Sequence, residues 1–241
     1  MPKHETLLLA VTKMHGGVCL AGMTTQPDPT TGLRWVRPVR EYGHVLLGDI
    51  STDNGRVLCP FDVVEFELRH PAPEPPHTED WVTEFVRHRP RILRRLEGVR
   101  RAEFLHRYQD AAPGEVLDKQ QRSLCLIQPE WIKGTFRLDS YSGKFEARMA
   151  FGLDGRTYRG PYAKGGFSVT DLRWRALGRA SLPEDGGWTE FDAGDLQARH
   201  GIEEIYLVVG LTRSYEGAYW LIVVGVHTVP EYGAEIDYDN L

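Results

Sequence analysis

Trp35 and Arg37 stand two residues apart in the stretch GLRWVRPVREYG at 32–43. In an extended chain alternate side chains share a face. Leu33, Trp35, Arg37 and Val39 then fall on one side, and Arg34, Val36, Pro38 and Arg40 on the other. An indole beside a guanidinium on a sheet is what a base-stacking platform with a phosphate clamp needs. The competing reading gives Trp35 to the core, with Arg37 laid over it in a cation–π contact. Pro38 has no N–H to donate, which places this end at a sheet edge or bulge.

Other clusters have the same character. Lys13, His15 and the pair Gly16-Gly17 could form an anion nest, but a plain turn is the favoured reading of the glycines. Arg87, Arg89, Arg91, Arg94, Arg95, Arg100, Arg101 and Arg107 give the densest positive charge in the chain, either a solvated face or a track for phosphates. Trp131 with Lys133, and Arg173 with Trp174, repeat the pairing of ring and cation. Arg213 and Tyr215 lie in TRSYEG, which reads as a hairpin loop between two apolar strands. In PHTEDWV, His77, Glu79 and Asp80 are read as structural, with Thr78 as a helix cap and Trp81 as an anchor. Ser168–Asp171 could form a polar loop network, in which Thr170–Asp171 reads as a turn or bulge. GxSxG, HExxH and GxxxxGK[ST] are all absent, so hydrolase, zincin and P-loop chemistry lack support. No catalytic residue, metal ligand or cofactor is assigned.

These residues need elements to position them. The 241 residues have an ordinary globular composition and a formal net charge of −5, so any basic site must be local. Three scattered cysteines form no CxxC pair and fit a reducing cytoplasm. LLLAV is too short for a signal or membrane segment and reads as a buried strand. Residues 1–75 predict a small barrel, with strands in TLLLAVTKM, VCLAGMTT, LRWVRPV and DVVEFELRH and a turn in QPDPTTG. Residues 76–115 predict a helical, arginine-rich connecting segment broken at Pro90. Residues 120–231 return to about five or six strands, with LDG as a turn, FSVTDLRWRALGR as a strand and GRASLPEDGGWTEFDAGD as loop. Residues 232–241 form an acidic, poorly packed tail. The fold class is mainly β with a helical insert (α+β).

HGGVCLAG at 15–22, WVRPV at 35–39, DVVEFEL at 62–68, PHTEDWV at 76–82, FSVTDLRW at 167–174 and YLVVGLTRSYEGAYWLIVVGV at 206–226 occur in this order. As an ordered set they make the chain resemble the dual OB-domain (DuOB) proteins of prokaryotes. The resemblance implies two small OB-like β-barrels in tandem and a nucleic-acid-binding role, often in a defence or conflict system. The leading expectation is a non-catalytic module for single-stranded or locally opened RNA or DNA. Its contacts would come from Lys13, His15, Trp35, Arg37, Arg40, Arg94, Arg95, Trp131, Lys133, Arg173, Trp174, Arg213 and Tyr215. Two alternatives stay open. One is an enzyme acting on a nucleotide or nucleic acid, with His15, His77, Glu79 and Asp171 in an interbarrel cleft. The other is a protein–protein adaptor, so a protein partner is also considered.

Overall fold

The apolar run LLLAV sits in a strand with no polar alternation, and both of its faces are buried. This strand, β1 (Lys3–Met14), is shared between two partners. Its first half pairs antiparallel with β4 (Asp62–Pro71) and the remainder with β2 (Gly17–Thr24). A register irregularity between Leu8 and Ala10 marks the handover, as expected of a bulge that bends a strand. β2 pairs with β3 (Trp35–Val39), β3 runs parallel to β5 (Asp80–Thr83), and β5 pairs with β4. The circuit 1-2-3-5-4-1 closes a five-stranded barrel around Leu8, Leu20, Val36, Val64, Phe66 and Leu68. β6 (Arg91–Arg95) adds outside the circuit, on β4. The computed structural model describes residues 3–14, 16–27, 34–160, 165–184, 187–236 and 238. The expected QPDPTTG turn and His15 therefore lie largely or wholly outside the described residues.

The chain divides into two compact units, 1–103 with 114–124, and 104–113 with 125–241. Helix α1 (Gly98–Arg107) and the one-turn helix α2 (Gly114–Leu117) lie where the chain passes between them. The expected helix over 78–96 is corrected. Asp80–Thr83 is the fifth barrel strand and Arg91–Arg95 a charged edge strand, and helix begins only at Gly98. The reason is burial. All four residues of DWVT are enclosed, so the segment shows no period-2 alternation, and the spacing of Trp81 and Phe85 mimics a helical face.

The second unit traces the same circuit with its first strand broken in two. β7 (Leu124–Ile127) lies at the end of a three-stranded sheet with β13 (Glu204–Leu211) and β14 (Leu221–Val229). After Gln128-Pro129-Glu130 the chain resumes as β8 (Trp131–Leu138) beside β9 (Phe145–Leu153). Pro129 cannot donate to a ladder, so the interruption falls there. β9 also pairs with β10 (Arg156–Tyr158) and β11 (Phe167–Ser168), and a parallel bridge from Val169 to Val223 joins this sheet to β14. The Asp154-Gly155 turn, with both φ angles positive, is the expected LDG hairpin.

Two stretches depart from the sequence reading. DLRWRALGR is helix α3 (Leu172–Ala180), because the Asp171 side chain accepts from Trp174 N and caps it. The expected loop holds β12 (Trp188–Asp192) and helix α4 (Ala193–His200), which starts on an Asp192–Asp195 capping box and stops at left-handed Gly201. α3 closes the barrel. A Cβ at Gly178 would come within 2.3 Å of the Phe136 ring, so only glycine permits this approach. Trp174, Phe136 and Phe191 cluster beneath, with centroids 4.6–5.6 Å apart, Phe136 stacked on Phe191 and Trp174 edge-on to Phe191. The tail is better anchored than expected at its start. Tyr232 is buried, and its hydroxyl donates to Val226 O at 3.2 Å.

Candidate nucleic-acid interface

In the first unit the strands that usually present a binding surface are enclosed. Thr24, Met23, Gly22, Ala21, Leu20 and Val18 on β2 are all buried, so neither face of that strand is open over most of its length. Arg37 is buried with them. Its Nε donates to Asp80 at 2.5 Å, and its Nη2 lies 3.2 Å from Glu79. Burial opposes its charge, but Cys19, Glu79 and Asp80 raise its pKa further. Burial would likewise push the Glu79 carboxyl up, yet hydrogen bonding from His77, the charge of Arg37 and the Ser123 hydroxyl hold it low. This buried cluster ties β3 to β5. It also absorbs the residues of PHTEDWV, and it leaves Arg37 turned into the protein.

The remaining first-unit candidates scatter. Trp35 is half-buried at the start of β3, Lys13 is exposed on β1, and Arg40 is half-buried, donating to Asp49 at 2.7 Å. Arg94 and Arg95 lie on β6, paired with Glu5 and Asp62 at 3.2 Å each. Arg101 is buried and lies 4.3 Å above the Phe61 ring, so it is a core residue and not part of a surface track.

The second unit offers an open face. On β8, Ile132, Gly134 and Phe136 point inward, while Trp131, Lys133 and Arg137 are exposed. Cross-strand partners share a side. Register therefore places Trp188 beside Arg137, and Thr135 beside Arg148. Trp188 is 61% exposed and Trp131 37%. The Trp131 ring lies across β9 at Gly152, where an added Cβ would come 2.0 Å from the indole Nε1. The missing side chain is what lets the ring lie flat, with its outer face in water. The cations here are held weakly: Lys133 by Glu190 at 3.8 Å, Arg137 by Asp139 at 3.4 Å and Arg148 by Glu146 at 3.6 Å. Exposed pairs of this kind are worth about 0–1 kcal/mol, so a phosphate could replace the carboxylate at small cost.

In an OB barrel the loops joining strands 1–2 and 4–5 flank the binding face. The first of these here is 139–144, at whose tip Tyr141 is fully exposed. Asp139 accepts from Ser142 N, Ser142 Oγ and Tyr141 N, which orders the turn and holds the Asp139 carboxyl below its ordinary range. The second is 212–220, a tight hairpin in which Tyr215 and Ala218 exchange backbone hydrogen bonds around Glu216-Gly217. Tyr215, Arg213 and Trp220 are exposed on it. Arg173 and Trp174 are placed differently. Trp174 is fully buried, and Arg173 is paired with Glu231, donates to Tyr232 O at 2.9 Å and covers the Tyr232 ring. Asp171 is spent as a cap. Its carboxylate accepts from Trp174 N and Val226 N, and burial raises its pKa to about 6.

Trp188, Arg137 and Tyr141, exposed on this face or its flanking loop, were not among the sequence candidates. The signal was available for Arg137, since WIKGTFRL alternates cleanly, but Trp188 lay in a stretch read as loop. Among the described residues, no group of three or more His, Cys, Asp or Glu could hold a metal ion, and no helix is long and apolar enough to cross a membrane.

Two circuits of OB type, in tandem along one chain, are what the family comparison also finds. The model of the dual OB-containing domain matches residues 4–226. The chain belongs to the dual OB-containing domain family. No curated protein and no solved structure matches it. Within this dual OB-containing domain the match takes in both barrels and ends inside β14. An OB module is thereby shown.

Proposed function

We propose that this protein binds single-stranded or locally opened RNA or DNA without catalysing a reaction on it, and that the open β8–β9–β12 face of the second barrel is the contact surface. The observation that carries this reading is the flat, exposed pairing of rings and cations on one sheet face: Trp131 over Gly152, Trp188 beside Arg137, and Lys133 between them along β8. Unpaired bases expose π-faces that stack on indoles, and the cations take the phosphates. Tyr141, Tyr215 and Arg213 extend the surface from the two flanking loops. The buried Arg37 and Trp174 have no part in it.

The test is fluorescence anisotropy of a labelled 20-nucleotide RNA and DNA strand at low salt. Trp131→Ala and Trp188→Ala should each weaken binding by roughly 5- to 100-fold, the worth of one stacked base. Gly152→Val should weaken it comparably by displacing the Trp131 ring while keeping every aromatic. Failure of the intact protein to bind either strand would overturn the proposal, and the exposed aromatics would then belong to a protein contact.

A further inference from the structure

The first unit carries a second feature that the barrel faces do not use. Beside β4 and β6, the 52–56 loop and the 86–90 segment wall an open depression of about 760 Å³. That volume lies within the usual range for small-molecule sites of about 300–1,000 Å³. Seven cationic side chains line it against three carboxylates, in a protein whose net charge is −5. No Phe, Tyr or Trp is among the lining residues, and the His88 imidazole is the one ring among them. A site of this composition recognises charge first.

Two of the three carboxylates, Glu65 and Glu67, lie low, whereas Asp53 is exposed, and the guanidiniums reach past the low pair. Glu65 accepts from Lys3 at 2.9 Å and from Nε and Nη2 of Arg91 at 3.3 and 3.2 Å. Arg56 and Arg95 both reach the fully buried Asp62, at 3.0 and 3.2 Å. Arg91 is 66% exposed and Arg94 52%, whereas Glu65 is 18% exposed. A guanidinium has five N–H donors in a fixed fork, so Arg91 keeps most of its donors for a ligand after satisfying Glu65. Glu65 at the floor thus holds Arg91 upright and the half-exposed Glu5 holds Arg94, so less ordering is lost when an anion arrives.

We propose that this depression is a binding site for linked phosphates, the triphosphate of a free nucleotide or a short run of nucleic-acid backbone, gripped by Arg91 and Arg94 from β6. It stands independently of the aromatic face of the second barrel. The probe is inorganic tripolyphosphate, titrated calorimetrically into the whole protein at low salt. Saturable binding should appear and weaken at least ten-fold in the double variant R91A/R94A, while Trp188→Ala leaves it unchanged. The double variant R91K/R94K keeps charge and strand but loses the fork. It should also bind more weakly, which covers the case in which the alanine variant unfolds. Absence of binding at millimolar tripolyphosphate, or equal affinity in R91K/R94K, would overturn the proposal. ATP binding lost in R91A/R94A would assign a free nucleotide. Displacement by tripolyphosphate of a strand still bound to W131A/W188A would assign the backbone.

Discussion

At the scale of single residues, the second barrel makes opposite uses of polar groups on its two sides. Lys133 and Arg137 are left in water with weak partners, while Asp171 is enclosed and given two backbone N–H donors. Enclosure still dominates for Asp171: burial raises its pKa to about 6, against hydrogen bonds and the Arg173 charge that lower it. The folded chain therefore keeps this proton at pH values where the unfolded chain, near 3.9, has lost it. The stabilisation is complete below about pH 4 and disappears as pH rises through about 6. Asp171→Asn, which cannot ionise and retains one acceptor, should flatten the stability profile over this window by roughly 2–3 kcal/mol relative to the parent. Urea unfolding of both proteins at pH 4.5 and pH 7 measures it. An equal loss in both would show that Asp171 is ionised throughout.

At the scale of elements, the parallel contact of β3 with β5 closes the first barrel and depends on the buried Arg37. Removing one partner of a buried ion pair strands the other charge, at a cost of about 3–5 kcal/mol. Arg37→Ala should lose about that much in urea unfolding, and at temperatures where it remains folded it should bind a labelled strand as the parent does. Weaker strand binding by folded protein would instead return Arg37 to the interface. This pairing also marks the limit of what could be read from the sequence. Trp35 and Arg37 do alternate with Val36 in a strand as expected, but β2 and β3 are covered on the side where Arg37 points, and alternation says nothing about what lies on top. The strands β1, β2, β4, β13 and β14 were legible because runs such as LLLAV and YLVVG are long and bounded by turns. β5 was not, since DWVT is buried all round, and α3 was not, since its cap Asp171 follows the β-like FSVT. Of the proposed interface, Trp131, Lys133, Arg213 and Tyr215 were already candidates in the sequence, while Trp188 depended on a short edge strand that only its pairing with β8 reveals.

At the scale of the whole molecule, a protein of net charge −5 has no long-range attraction for a polyanion, so its grip on a strand must be local and mostly stacking. That constrains the response to salt. A cation that neutralises one phosphate of a single strand contributes a slope of about −0.7 in log K against log salt. If the strand lies on the second barrel's face, Lys133, Arg137, Arg148 and Arg213 supply at most four such contacts, and the slope should be about −3. Stacking on Trp131 and Trp188 does not release counterions, so the affinity left at 0.5 M salt should be substantial and should vanish in W131A/W188A. If Arg91 and Arg94 also held the backbone, two further contacts would steepen the slope to about −4, and R91A/R94A would bring it back to about −3. Anisotropy titrations at four salt concentrations separate the two cases. A slope of about −3 that R91A/R94A leaves unchanged is expected if the depression takes free nucleotides. A slope steeper than −4 that these arginines do not explain would mean that phosphates, not rings, carry the binding.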